Sequence, residues 1–294
     1  MAERETGSGL PAGTVAEALG AANDALRAAG VDSPRLDAEL LLEAASGLER
    51  AAIAADPDAG VAPSAAREFG SMVRRRVARE PVAYILGRRG FRHIELRCDP
   101  RALIPRSETE LLVEVALELE PRSVLDVGTG SGAIALAVAD ELPDVEVVAV
   151  DTSPAALQLA RENAGELGLA DRVSFELGSV PRPRHFDLAL ANLPYVRNAD
   201  WAVLAAEITR YEPREALLGG EDGLDPIRGL LAALRPDSVP ERSGLRCDAI
   251  ALEIGAGQAD VVAALLDAFA GFRTARRTDL AGIERVVLAV RSEA

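Results

Sequence analysis

The sequence predicts an α/β fold with a mostly parallel sheet, a smaller helical domain before it and a hairpin linker between the two. Three observations predict it. From residue 106 onward, helical patterns alternate with short apolar runs, which is typical of parallel sheets covered on both faces. The first 80 residues hold helical patterns only. The length of 294 residues predicts about two domains, and a hydrophobic content of 49% is ample for a core.

The N-terminal region is predicted to fold as three helices. Thr14 stands where its side chain can cap a first helix that runs to Gly30, and Ser33-Pro34 begins a second. Ser64 is placed to cap a third helix. We predict that residues 1–80 form a small helical domain.

A linker is predicted over residues 81–105. Glu80-Pro81 breaks the helical pattern, because proline disfavours helical backbone at the residue before it. Between Ala83 and Leu103, glycines punctuate a partly alternating pattern that predicts strands or a hairpin.

Residues 106–294 are predicted to form the second domain, built on a seven-stranded sheet. A helix is predicted after Ser107, and others at 133–142, at 154–165 and before Phe269. The predicted strands are 123–127, 145–150, 173–177, 186–191, 249–253, 272–276 and 285–290. The last two are expected to pair antiparallel around the turn at 279–282, and residues 236–247 are expected to form an inserted surface loop.

The composition excludes several kinds of active site. All 32 cationic residues are arginine, which excludes a Walker A lysine, a Schiff-base lysine and a kinase-type ATP lysine. Cys98 and Cys247 have no Cys or His at ligand spacing, and neither His93 nor His185 sits in a metal-binding arrangement. We therefore expect no disulfide framework and no metal site.

The net charge of −15 disfavours nucleic acid as a partner, because such binding depends on neutralised phosphates. A local basic cluster is interpreted as a solvated helix face and turn, with a binding patch as the alternative. Its arginines are at positions 74–76, 79, 88, 89, 92 and 97. No uncharged apolar run reaches about 18 residues, and the first residues lack the apolar stretch of a signal peptide. We expect a cytoplasmic monomer that binds no membrane.

A glycine-rich turn, Asp-Val-Gly-Thr-Gly-Ser-Gly at residues 126–132, joins a predicted strand to a predicted helix. Glycines there let a ligand approach the backbone, and the helix N-terminus offers free N–H groups. Asp151 ends the next strand about 20 residues later, where a carboxylate can accept hydrogen bonds from both hydroxyls of a ribose. The pattern predicts a cofactor that carries a nucleoside. The alternative is a tight strand-to-helix turn without a ligand.

The charge of this turn bears on which cofactor it binds. Its spacing is Gly-x-Gly-x-Gly, whereas dinucleotide sites have Gly-x-Gly-x-x-Gly. Asp126 stands in front of the glycines, where a negative charge would repel a pyrophosphate but attract a sulfonium and an amino-acid ammonium.

Asn192-Leu193-Pro194-Tyr195 follows the apolar run 186–191 and holds no group that ionises near neutral pH. An amide, a proline and an aromatic ring at the end of a strand suit a planar, uncharged nitrogen, held by neutral acceptors against a flat wall. The tetrad therefore predicts group transfer to an amide or amino nitrogen. A simple turn at the exit of a buried strand is the alternative.

Taken together, these patterns resemble the class I S-adenosylmethionine-dependent methyltransferases, and within them the HemK/PrmC family. The resemblance covers roughly residues 36–290. The motifs that carry it, in chain order, are Leu86-Gly87 with Phe91, Ile104-Pro105-Arg106 with Glu108-Thr109-Glu110, Asn192 to Tyr195, Tyr211-Glu212-Pro213, Gly219-Gly220-Glu221-Asp222-Gly223-Leu224, Leu252-Glu253-Ile254-Gly255 and Asp279-Leu280-Ala281-Gly282.

The resemblance implies a Rossmann-like methyltransferase domain and an N-terminal helical domain that helps to dock a peptide chain release factor. The implied reaction is N5-methylation of the glutamine amide in the Gly-Gly-Gln motif of that factor. The catalytic residues would be Asn192, through its side-chain oxygen, and Leu193, through its backbone carbonyl. Pro194 would keep Leu193 extended, and Tyr195 would supply a wall for the amide.

S-adenosylmethionine is the expected methyl donor, with no metal. The residues that we predict to bind it are Asp126, Gly128, Thr129, Gly130, Ser131, Gly132, Asp151, Ser179, Val180, Asn192 and Arg106. Two of the family's residues are replaced in this chain. Leu193 stands where the family usually has proline, and Gly178-Ser179-Val180 stands where it commonly has Asp. The first change is expected to loosen the loop, and the second to alter cofactor affinity.

Three other functions remain open from the sequence. Asn-Leu-Pro-Tyr also resembles the motif with which ribosomal RNA adenine dimethyltransferases hold an exocyclic amine, although the acidic charge counts against RNA. The same amide chemistry could act on another protein or on a small molecule. The chain could also be a cofactor-binding module without catalysis, against which the retained Asn192, Pro194, Tyr195 and Asp151 argue.

Overall fold

The computed structural model describes residues 13–182, 184–234, 245–268 and 271–291. The chain forms two compact units. One comprises the described residues up to Gly87 together with Ala206–Tyr211, and the other comprises the rest. Most of the predicted insertion at 236–247 lies outside the described residues, but Arg246 and Cys247 belong to a strand.

The first unit is helical, as predicted. Thr14 caps its first helix, since the Thr14 hydroxyl accepts a hydrogen bond from the Glu17 N–H at 3.2 Å and the Glu17 carboxylate accepts one from the Thr14 N–H at 2.9 Å. Its helices are α1 Val15–Ala28, α2 Pro34–Ser46, α3 Arg50–Ala55, α4 Pro63–Val77, α5 Val82–Leu86 and, later in the chain, α9 Ala206–Tyr211.

Two details of this unit differ from the sequence predictions. Ser64 does not cap α4, because the helix already begins at Pro63, whose fixed φ suits the first helical position. Residues 83–86 are helical rather than extended, and their short helix α5 ends at Gly87, whose φ of 73° is left-handed.

Helix α9 is bound to the first unit by ion pairs whose charged groups are buried or half-buried. The guanidinium of Arg76 is buried and bonds to the Asp37 carboxylate at 2.7 Å and to Glu207 at 2.8 Å. Arg79 forms a second ion pair with Glu207, and the Tyr211 hydroxyl donates to the Ala78 carbonyl at 3.0 Å. A segment more than a hundred residues away in sequence is thereby fixed to α4.

The second unit begins with the predicted hairpin and continues with the predicted seven-stranded sheet. The hairpin strands are β1 Arg88–Phe91 and β2 Ile94–Arg97. The sheet strands are β3 Ser123–Val127, β4 Glu146–Asp151, β5 Val173–Leu177, β6 His185–Ala191, β7 Arg246–Glu253, β8 Phe272–Thr278 and β9 Glu284–Arg291. Strands β3 to β7 are parallel to one another. Strand β9 is antiparallel to both of its neighbours, β7 and β8. The predicted class I methyltransferase fold is therefore confirmed.

Helices cover the sheet and enclose two apolar clusters. They are α6 Glu110–Leu119, α7 Ala133–Glu141, α8 Pro154–Glu166, α10 Asp225–Leu234 and α11 Ala259–Asp267, with short 3₁₀ turns at Ser107–Thr109, Asn198–Val203 and Arg214–Ala216. In the described part of the chain, no helix has the length and apolar character needed to cross a membrane.

The strand order creates a natural crevice between β3 and β6. The sheet runs β5-β4-β3-β6-β7-β9-β8, so the chain moves outward from β3 to β5 and then returns to the other side of β3. Ligands of open α/β sheets bind at such a switch point, outside the carboxyl ends of the strands. Val127 pairs with Ala191, so Gly128 and Asn192 leave the sheet side by side.

Candidate functional site

A cavity of about 470 Å³ lies at the carboxyl ends of β3, β4 and β6. It brings together residues from the glycine turn, the end of β4, the segment after β5 and the tetrad. The predicted site residues that line it are Arg106, Gly128, Thr129, Gly130, Ser131, Asp151, Ser179, Val180, Asn192, Leu193 and Pro194. Three predicted site residues do not line it, namely Asp126, Gly132 and Tyr195.

The glycine turn is shaped by close packing on its inner side. Gly128 has a φ of 74°, and a Cβ there would stand 3.1 Å from the Leu193 side chain. At Gly132, with a φ of 87°, a Cβ would stand 2.9 Å from Leu136 in α7. Gly132 is therefore favoured by its left-handed backbone, and it lies against side chains of the helices rather than facing the cavity.

Asp151 holds the turn and also faces the cavity. One carboxylate oxygen accepts a hydrogen bond from the Gly130 N–H at 2.9 Å, and the other accepts one from the Ser153 N–H at 2.8 Å. A carboxylate has about four acceptor positions, so both oxygens retain lone pairs for further donors.

Asp126, predicted to bind the cofactor, lies beneath the turn and does not line the cavity. Its side chain is fully buried, and one oxygen accepts hydrogen bonds from the Thr129 hydroxyl at 2.6 Å and the Ala135 N–H at 3.2 Å. Burial raises the pKa of this carboxyl to about 7. Asp126 therefore ties the turn to the start of α7, because the inward-facing position at the end of β3 points into the core.

The nitrogen end of the Asn192 side-chain amide is hydrogen-bonded within the protein. Its Nδ2 donates a hydrogen bond to the Thr109 hydroxyl oxygen at 3.0 Å. Within the residues that the structure describes, Oδ1 has no such donor, so the oxygen is the end left to accept a hydrogen bond from a ligand.

Packing and a hydrogen bond hold Leu193 and Tyr195 in place. The Leu193 side chain is buried and packs against Gly128, so packing holds this position where the family has a proline ring. The Tyr195 ring, predicted to supply a wall for the substrate amide, lies close to Gly255. Burial raises the pKa of the Tyr195 phenol to about 12, and its carbonyl accepts a hydrogen bond from Gln258 at 3.3 Å.

Arg106 lines the cavity as part of a fixed pair. Its guanidinium forms an ion pair with the buried carboxylate of Glu212. Glu212 also accepts a hydrogen bond from the Ile104 N–H at 3.1 Å. This pair fixes the segment that precedes α6 against the cavity.

Comparison with known proteins identifies the family. Residues 17–87 match the PrmC N-terminal domain, and residues 120–212 match a Methyltransferase domain. The release factor glutamine methyltransferase of Moorella thermoacetica is 41% identical over 95% of this chain and 99% of its own length. The chain belongs to the release factor glutamine methyltransferase family. A second member, from Geobacter sulfurreducens, is 40% identical over 88% of this chain and 90% of its own.

A solved methyltransferase structure agrees with the fold of this family member. The hMettl16 catalytic domain, solved in complex with an RNA hairpin, superposes with a TM-score of 0.51 over 67% of this chain and 74% of its own. The two are 14% identical, so this likeness concerns the fold alone.

Two residues near the family's Asn-x-Pro-Tyr motif had no role in the sequence analysis. Thr109 and Glu253 are both buried, and the Thr109 hydroxyl oxygen accepts the hydrogen bond from the Asn192 Nδ2. Burial raises the pKa of the Glu253 carboxyl to about 7. Both were visible as motif residues. The position of Glu253 beside the end of β6 follows from the pairing of β6 with β7, where Ala191 lies opposite Leu252.

Proposed function

We propose that this chain methylates the side-chain amide of the glutamine in the Gly-Gly-Gln motif of peptide chain release factors, with S-adenosylmethionine as methyl donor. One observation carries the proposal, namely the Asn192 amide, which lies at the switch-point cavity with its nitrogen bonded to Thr109 and its oxygen left as acceptor. Relatives named for this activity match nearly the whole chain at about 40% identity.

The cavity is large enough for a cofactor that carries a nucleoside. Ligand sites typically occupy about 300–1,000 Å³, and this cavity measures about 470 Å³. Asp151 would accept hydrogen bonds from the ribose hydroxyls. The glycines of the turn from Gly128 to Ser131 would let the cofactor approach the protein backbone closely. Ser179 and Val180 would lie beside the adenine. When bound, S-adenosylmethionine supplies a methyl group made electrophilic by a positively charged sulfur.

Asn192 and Leu193 would orient the substrate amide. An amide nitrogen is a poor nucleophile because its lone pair is delocalised into the carbonyl. The Asn192 Oδ1 and the Leu193 carbonyl would each accept a hydrogen bond from one of the two N–H groups of this nitrogen. Orientation of this kind can lower the activation barrier by several kcal/mol. Positive charge that develops on the nitrogen would be stabilised by the same two oxygens without rearrangement.

The remaining predicted residues would act around this core. Arg106 would border the cofactor while held by Glu212, and Thr129 would support the turn through Asp126. Tyr195 would supply the wall against which the substrate amide packs. Pro194 would contribute the apolar surface beside the substrate.

The partner proposed for the N-terminal helical region is the release factor itself, and the match of residues 17–87 to the PrmC N-terminal domain supports this. Release factors act on ribosomes, so a cytoplasmic location is part of the proposal. The net charge of −15 favours a protein over a nucleic acid as substrate. The monomeric state and the lack of a metal stay predictions.

Peptide mapping after reaction tests the proposal. The purified protein is incubated with S-adenosylmethionine and a release factor, and peptides are analysed by mass spectrometry. We expect one added methyl group on the Gly-Gly-Gln peptide, and none when that glutamine is replaced by alanine. An unmodified peptide would refute the proposal, and methylated RNA in a parallel reaction would favour the adenine alternative.

A further inference from the structure

We propose that the tip of the β8–β9 hairpin, residues 280–283, docks an apolar side chain of the release factor that flanks the Gly-Gly-Gln motif. The inference rests on the proposed function, because it names a surface that would bring that substrate to Asn192. The tip would contribute to recognition of the substrate protein and would take no part in methyl transfer.

The pairing of the strands places the hairpin at the edge of the sheet where the tetrad leaves it. Ala191 of β6 lies opposite Leu252 of β7, which in turn lies opposite Val287 of β9. Only β7 separates β6 from β9, and neighbouring strands are about 4.8 Å apart, so β9 runs about 10 Å from β6. Because β9 is antiparallel to β7, its start and the tip before it project beyond the same edge as Asn192.

A series of contacts joins the base of the hairpin to the tetrad. The Tyr195 ring lies so close to Gly255 that a Cβ there would stand 3.2 Å from it. The N–H of the preceding residue, Ile254, donates a hydrogen bond to the Arg285 carbonyl at 2.8 Å. The Arg285 guanidinium in turn pairs with the Asp279 carboxylate at 2.9 Å. The tetrad and the hairpin are therefore held in one arrangement.

The tip is a preorganised turn. One carboxylate oxygen of Asp279 accepts hydrogen bonds from the N–H groups of Ala281 and Ile283, each at 2.9 Å. The Asp279 N–H donates to the Ile283 carbonyl, and the Gly282 N–H donates to the Asp279 carbonyl, again at 2.9 Å. Gly282 has a φ of 78°, which glycine adopts without strain. A surface already fixed in this way loses little entropy when it binds a partner.

The tip presents apolar residues to solvent. Leu280 has a relative exposure of 110%, and residues 281–283 are exposed as well. Four consecutive exposed apolar residues are unfavourable in a surface turn unless they serve a function. The charge of Asp279 at the base is balanced by Arg285. The contact that the tip offers is therefore apolar.

The chemistry of the Gly-Gly-Gln motif favours such a second contact. Two of its three residues have no side chain, so the catalytic site can hold only the glutamine, which is an ordinary residue of proteins. Selection of one glutamine therefore needs binding free energy from outside the motif. An apolar tip fixed beside the site would supply it by burying apolar surface of the substrate protein.

Two other occupants of the tip agree less well with the structure. A stable dimer buries about 800 Å² on each partner, which is far more than the four residues of one turn contribute. A membrane with anionic lipids would be repelled by the net charge of −15.

Kinetics of Leu280→Ser test the proposal. We expect the KM for the release factor to rise about tenfold, because apolar contact area is lost. The kcat, the Kd for S-adenosylmethionine and the melting temperature should stay unchanged, since the Leu280 side chain is fully exposed. Leu280→Met keeps an apolar side chain of similar volume and should keep the KM within a few-fold of the original.

The matched control is Leu119→Ser. Leu119 is also exposed, but it ends helix α6 just before β3 begins and so lies at the opposite edge of the sheet. We expect an unchanged KM in this variant. An unchanged KM in Leu280→Ser, or an equal rise in both variants, would overturn the proposal. So would a dimer that sedimentation detects in the original protein and not in Leu280→Ser, because the tip would then bind a second copy.

Thiol protection gives a readout that needs no methyl transfer. The native cysteines, Cys98 and Cys247, are buried, so Leu280→Cys introduces an exposed thiol that a maleimide can alkylate. We expect saturating release factor to slow this alkylation several-fold and to leave that of Leu119→Cys unchanged. Equal rates with and without the factor would overturn the proposal. If the factor is not methylated, the proposed function fails, and the protection measurement still decides whether the tip contacts it.

Discussion

The backbone carbonyl of Tyr195 lies directly against Gly223, where any Cβ would collide with it. Gly223 has a φ of 78°, so a side chain there would also strain the backbone. We predict that Gly223→Ala lowers the free energy of unfolding by about 3 kcal/mol, measured by denaturant titration. Gly165→Ala, in the open on helix α8, is the control and should raise it by up to about 1 kcal/mol. Equal effects would contradict this packing.

Arg76 is predicted to be essential for the stability of the N-terminal unit. Arg76→Met would leave the buried carboxylate of Asp37 without its cation and would remove one of the two cations that bind the half-buried Glu207. Breaking a buried pair in this way costs about 3–5 kcal/mol. Arg35→Met, which breaks the exposed pair with Glu39, should have little effect. Calorimetry of both variants provides the comparison, and a small change in Arg76→Met would be inconsistent with a buried network.

Stability should fall between pH 5 and pH 8 because of two buried carboxyls. Burial raises the pKa of Asp126 and of Glu253 to about 7 from their ordinary values of 3.8 and 4.5. The folded state therefore holds these protons more tightly than the unfolded state. Their contribution is complete below pH ~4 and is lost as the pH rises through ~7, with a slope of up to about 1.4 kcal/mol per pH unit for each group.

The variant Asp126→Asn tests this assignment, because an amide cannot titrate. We expect its unfolding free energy to fall less steeply between pH 5 and pH 8 than that of the original protein. The carboxyls with lowered pKa, such as Asp99 and Glu141, affect stability at more acidic pH. Identical slopes in the two proteins would show that Asp126 is not the titrating group.

Asp151 is predicted to contribute to cofactor affinity. Its carboxylate faces the cavity and holds the Gly130 N–H at 2.9 Å. Asp151→Ala should raise the Kd for S-adenosylmethionine by at least about tenfold, since a hydrogen bond to a charged group contributes about 1.5–3 kcal/mol. Titration calorimetry measures this, with the exposed Asp144→Ala as control. Unchanged affinity would remove Asp151 from the cofactor site.

Local signals predicted the fold well. The strand at 173–177 and the Thr14 cap are as expected, because apolar periodicity and capping chemistry depend on neighbouring residues. Helix α9 could not be assigned to the first unit in this way. Its six residues are joined to that unit by the ion pair between Glu207 and Arg76, and such a contact leaves no local pattern.

The sequence predicted which segments form the site better than it predicted the surroundings of individual side chains. The motifs identified which segments meet at the cavity, because strand ends in a parallel sheet share one edge. They did not reveal that Asp126 is fully buried and hydrogen-bonded to Thr129 and Ala135. The position of Glu253 near Asn192 was missed as well, since it follows only from the pairing of β7 with β6.

The role of Asn192 is the central claim, and Asn192→Ala tests it most directly. Its kcat with a release factor and its Kd for S-adenosylmethionine are measured on the same preparation, with the exposed Asn198→Ala as control. We predict a loss of kcat of at least about a hundredfold with a nearly unchanged Kd. Loss of both to the same extent, or retained turnover, would contradict the account.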